Sequence, residues 1–93
     1  MSKFNTLPEE QQLYLRAARL VRKEGMESYG PDSFAPVNFV QARYKAFGAD
    51  IMKFSAANNS LLEAGLIEKA PEPSNVYSIR LTKNGLKTLK TSP

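Results

Sequence analysis

Adjacent carboxylates such as Glu9-Glu10 are among the few groups here that could do acid–base chemistry, because the chain contains neither His nor Cys. Without those two residue types there is no Ser-His-Asp triad, no thiol nucleophile, no imidazole acid or base and no zinc site of the common kind. Glu9 and Glu10 also stand at an exposed helix start, where carboxylates compensate the positive end of the helix dipole, so their position has a structural reason. No Gly-rich phosphate cradle and no metal-ligand spacing occurs. The expectation is a protein that is not an enzyme, with no catalytic residue, no metal and no cofactor.

Charge is the remaining chemical resource. Thirteen Lys and Arg against nine Asp and Glu leave +4, a mild excess that points toward an anionic partner. Its placement is uneven. Arg16, Arg19, Arg22 and Lys23 lie in an acid-free stretch from Gln11 to Lys23, and Arg80, Lys83, Lys87 and Lys90 in another from Ser74 to Pro93. Acids collect in Glu24–Asp32 and Glu63–Glu72. Solvated helix faces often carry such runs.

These groups need elements to position them. A length of 93 residues with 42% apolar residues fits one globular domain, 1–93, and no apolar run approaches the ~20 residues of a spanning helix. The first ten residues turn polar too early for a signal peptide. With no disulfide, the domain is held by its core, as in a cytoplasmic protein.

Thr6-Leu7-Pro8-Glu9 reads as a helix start, with Thr6 as cap, Pro8 in the first turn and Glu9 closing a capping box. Leu13, Ala17, Leu20 and Val21 then share a face, and Arg16, Arg19, Arg22 and Lys23 fall opposite. Leu15 falls on the charged arc and does not fit. Gly25 is the expected cap, Ser28–Ser33 a loop, and a second helix follows from Pro36 to Phe47, with Val37, Val40, Tyr44 and Phe47 inward and Gln41 and Lys45 outward. Gly48-Ala49-Asp50 breaks it, and Asp50 caps a third helix carrying the stripe Phe54, Ala57 and Leu61, with Ile51 and Leu62 at its margin. Asn58 projects roughly 40° from Phe54, toward the core, so it needs a partner in the backbone or at an interface. After Gly65 the period drops to 2. Leu66–Lys69 and Val76–Leu81 read as strands around the turn Pro71–Asn75, with Tyr77, Ile79 and Leu81 on one face, and Thr82 caps a last helix bearing Leu86 and Leu89. Phe34, Phe39 and Phe47 read as core or packing surface, except that Phe39 points away from the Val37 stripe, as a dimer or partner surface would.

The segments Leu61-Leu62-Glu63-Ala64-Gly65-Leu66-Ile67-Glu68-Lys69 and Tyr77-Ser78-Ile79-Arg80-Leu81-Thr82-Lys83-Asn84-Gly85 resemble the paired signature of MarR-type and related bacterial and archaeal winged-helix regulators over residues 36–89. The resemblance implies a mostly α fold with a small β-hairpin, a winged helix-turn-helix of three helices, a two-stranded wing and a short C-terminal helix. Its elements would be helix 1 over about 7–25, helix 2 over about 36–47, a recognition helix over about 51–64, a wing over about 66–81 and a final helix over about 83–90. It further implies double-stranded DNA as partner, with the third helix in the major groove. Met52, Ser55, Ala56 and Asn59 become base-reading candidates: Asn59 for adenine, Ser55 for a base or phosphate, Ala56 for a thymine methyl. Arg43, Lys45, Lys53, Ser60, Lys69 and Arg80 become phosphate candidates.

Several residues temper that expectation. The recognition face has no Arg for guanine and carries Glu63, while the wing tip carries Glu72 and no cation. MarR-type proteins dimerise through long terminal helices, and with the sequence closing at Pro93 that apparatus is not expected here. A homodimer would use the first helix, the loop Ser28–Phe34 or the last helix, and a small-molecule effector pocket is not expected. The competing expectation is a winged-helix protein-interaction module, a subunit or inhibitor in a larger assembly.

Overall fold

The fold is that of a computed structural model, described for residues 3–24, 34–71 and 76–91. Gly25, the loop Ser28–Ser33 and the turn segment 72–75 with Glu72 lie outside the described residues. A 3-10 turn (Phe4–Thr6) leads into α1 (Glu9–Glu24); β1 (Ala35–Pro36) runs into α2 (Val37–Ala46); a second 3-10 turn (Ile51–Lys53) precedes α3 (Phe54–Glu63); β2 (Ile67–Lys69), β3 (Ser78–Leu81) and α4 (Lys83–Lys90) follow. The protein is mostly helical with a small antiparallel sheet, ordered β1-β3-β2. Among the described residues no helix is long and apolar enough to cross a membrane.

Helix α1 is the hub, packed against α2, α3, β3 and α4. A helix surrounded this way needs more than one apolar stripe, and Tyr14, Leu15, Ala17, Ala18 and Val21 are all buried while Leu13 and Leu20 are only half-buried. This resolves Leu15, which is fully buried on the arc that the sequence assigned to charge. On that side Phe4 is also fully buried, its N–H donating to Thr91 Oγ1 at 3.2 Å, and Arg16 lies over its ring at 5.2 Å, half-buried rather than solvated. The expected capping box is not formed. The Thr6 hydroxyl donates to the Lys3 carbonyl (2.6 Å) within the 3-10 turn that buries Phe4, and Gln11 and Gln12 N–H donate to the Pro8 carbonyl.

Helices α2 and α3 end alike. Ala49 N–H donates to Tyr44 O and Gly48 N–H to Lys45 O; Leu66 N–H donates to Leu61 O and Gly65 N–H to Leu62 O. Both are Schellman ends, with the glycines at φ +81° and +74°, a region where a Cβ is costly. Asp50 caps as expected, accepting from Met52 N–H at 3.0 Å, but it caps the 3-10 turn, and the α-helix proper starts at Phe54, later than the sequence indicated. Phe54 stacks on Tyr14 (centroids 5.0 Å apart, 26°) and meets Tyr44 edge-on (5.1 Å, 67°), which joins α1, α2 and α3 in one aromatic cluster. Phe47, expected to continue the inner stripe of α2, sits one residue past the helix and is exposed.

The sheet has one strand more than the expected hairpin. Ala35 and Pro36 pair with Ile79 and Ser78, and Val37 N–H donates to Tyr77 O at 2.9 Å. Two residues that include a proline carry no periodic signal, which is why this edge strand is invisible in the sequence. Strands β2 and β3 pair Ile67 with Leu81, Glu68 with Arg80 and Lys69 with Ile79, and Ile67, Ile79 and Leu81 are buried. Thr82 caps α4 as expected, accepting from Gly85 N–H at 3.0 Å and donating to Gly65 O at 2.6 Å.

Candidate nucleic-acid interface

Helix α3 is divided by its periodicity. Phe54, Ala57, Asn58 and Leu61 face the core, while Met52 and Lys53 of the preceding turn and Ser55, Ala56, Asn59 and Glu63 are exposed. Among the described residues Met52 is the most open large apolar side chain, at 85% exposure. Ser60, a phosphate candidate, is half-buried at the edge of this face.

Ser55 and Asn59 line a shallow groove of about 300 Å³ with Val37, Phe54, Asn58 and Tyr77. Tyr77 is absent from the sequence-derived candidates. Strand alternation assigns it to the core face, yet it precedes β3 at the sheet's end and remains 43% exposed. The only signal available was the residue type, since a Tyr at a strand end carries its hydroxyl to the rim.

Asn58 explains how this groove is built. Buried Tyr14 donates its hydroxyl to Asn58 Oδ1, and Asn58 Nδ2 donates to the Tyr77 hydroxyl oxygen at 2.9 Å. The partner expected for Asn58 is therefore a pair of tyrosine side chains from α1 and the sheet, not backbone. Desolvation, then the neighbouring Tyr77, pushes the Tyr14 hydroxyl well above its ordinary value. Tyr44 is raised as well, first by desolvation and then by Glu10 and Asp50. Both tyrosines favour the protonated, folded state. Their contribution is complete below the unfolded value near 10 and is lost as pH rises beyond it. Urea midpoints are thus expected to hold to about pH 10 and then fall. Tyrosinate absorbance at high pH should show the Tyr14 proton leaving together with unfolding, and its release from a fully folded chain would contradict it.

The cationic candidates divide into two groups. Arg43 is engaged by Glu24, Nη2 to Oε2 at 2.8 Å and Nε to Oε2 at 3.2 Å, which ties α2 to the end of α1. Arg80 pairs with Glu68 across β2 and β3, and its guanidinium lies over the Phe34 ring at 4.4 Å. Each ion pair offsets part of the positive charge that these two phosphate candidates offer to a nucleic-acid backbone. Lys45, Lys53 and Lys69 are exposed. Lys53, however, shares a second groove with Glu9, Glu10 and Asp50, which lowers the local positive potential on that side of α3. No group of three His, Cys, Asp or Glu among the described residues could hold a metal ion.

No protein-family model, no curated protein and no solved structure matches this chain.

Proposed function

We propose that this chain is a small winged-helix DNA-binding protein, a transcriptional regulator whose α3 enters the major groove. In this reading β2 and β3 form the wing, and a pair of copies would read two half-sites. The observation that carries it is the division of α3 and the turn before it: four residues, Phe54, Ala57, Asn58 and Leu61, face inward, and Met52, Ser55, Ala56 and Asn59 form an outward face with small, hydrogen-bonding and methyl-contacting side chains. Lys45, Lys53 and Lys69 would supply backbone attraction.

A second reading, a protein-interaction module, draws support from exposed Phe39, Phe47, Ile51 and Met52 and from the ion-paired state of Arg43 and Arg80. Titration of duplex DNA at two salt concentrations separates them. The DNA reading expects binding that weakens steeply with salt, whereas absent binding at low salt would leave the protein-partner reading. Selection from a random duplex pool should then enrich a motif. Asn59→Ala is expected to relax one position of it by about tenfold, and Lys53→Ala to lower the salt slope by about 1 with the motif unchanged.

A further inference from the structure

Among the described residues, the lining of the groove beside α3 is uncharged, so an anion there would meet neutral donors. Tyr77 is placed to be one, and its orientation is set from inside the protein. The Asn58 amide could bridge the two tyrosines in either of two orientations. If its N–H pointed at Tyr14, the Tyr14 hydroxyl proton would lack that acceptor at a fully buried site, which costs far more than an unpaired proton at the rim. The buried end therefore holds Asn58 Oδ1 toward Tyr14 and Nδ2 toward Tyr77. The Tyr77 oxygen accepts from inside, and its own proton is left to be donated outward.

We infer that the Tyr77 hydroxyl, held by the Tyr14–Asn58 chain, is a DNA phosphate contact, the neutral clamp on the backbone strand flanking α3. The inference rests on the DNA-binding reading. A phosphate fits better than a base because Ser55 and Asn59 occupy the helix side of the groove while Tyr77 stands on its sheet side. A reader helix in the major groove has phosphate rows along both flanks, and Tyr is among the side chains that bind them. The bond is neutral donor to charged acceptor, so it adds affinity without releasing a counterion.

The test is a double-mutant cycle between the protein and the duplex selected above. Tyr77→Phe is expected to fold, because the Asn58 N–H it frees lies next to a half-exposed position that water reaches; a thermal melt checks this. Affinity should fall by about tenfold with the salt slope and sequence preference unchanged. A scan of single methylphosphonates should find one position that weakens the wild type but not Tyr77→Phe. Tyr77→Leu, a second variant without the hydroxyl, should couple to the same position. Wild-type binding with no coupled phosphate, or coupling to a base change instead, overturns this inference alone. No duplex binding by the wild type overturns the DNA reading and this contact with it.

Discussion

Replacing Gly85 with Ala is expected to cost about 3 kcal/mol or more, a large fraction of the roughly 5–15 kcal/mol that holds a domain of this size. Helix propensity predicts the opposite sign, a gain of about 1 kcal/mol for Gly→Ala inside a helix. The difference is the neighbour. A Cβ on Gly85 would stand 2.0 Å from the Leu66 carbonyl oxygen, 3.1 Å from its carbon and 3.4 Å from Leu81 Cδ2. Leu66 O already accepts from Thr82 N–H at 3.1 Å, and the Thr82 hydroxyl donates to Gly65 O. The start of α4 is thus bolted to the turn that ends α3, and an added methyl drives the two apart. Urea unfolding should show a much lower midpoint for Gly85→Ala. Gly48→Ala provides the contrast: with nothing within 4 Å of its Cβ it loses only the φ preference at +81°, about 1–2 kcal/mol. Equal losses at the two sites would refute the close-approach account.

Asn58→Leu is expected to destabilise by about 2–3 kcal/mol, or roughly 10 °C in Tm for a domain of this length. Leu keeps most of the volume but removes the acceptor of the Tyr14 hydroxyl, whose residue is fully buried. Tyr77 is less affected, because its hydroxyl can turn to water. Removing both ends of the buried bond should therefore recover most of the loss. The double variant Asn58→Leu/Tyr14→Phe is expected within about 1 kcal/mol of wild type, since an apolar pair strands no donor. Thermal melts of the two single variants and the double variant measure the coupling, and additive losses would place the role of Asn58 elsewhere. Far from being an awkward polar residue on an inner face, Asn58 is where α1, α3 and the sheet are tied together.

Much of this was legible from local pattern. The 3.6-residue spacing of Phe54, Ala57 and Leu61, the helix-ending glycines at 48 and 65, the caps at Asp50 and Thr82 and the alternation of Ile79 and Leu81 all depend on near neighbours in the chain. The structure places each as expected, except that Asp50 caps the 3-10 turn ahead of α3 and not α3 itself. The outward face of Met52, Ser55, Ala56 and Asn59 followed from the same periodicity. What local pattern cannot carry is any feature whose cause lies far along the chain. Leu15 is buried because α1 is covered on several sides at once, and the two-residue strand Ala35–Pro36 exists only because β3 offers it an edge. Arg43 and Arg80 read as free cations until Glu24 and Glu68 are brought beside them. Gly85 reads as a weak helix residue until Leu66 is laid against it, and Tyr77 as a core tyrosine until Asn58 reaches it across 19 residues. Hydrophobic period determines which face turns inward. Which polar groups then meet, and so which charges and hydroxyls remain for a partner, is decided only when the helices and sheet pack.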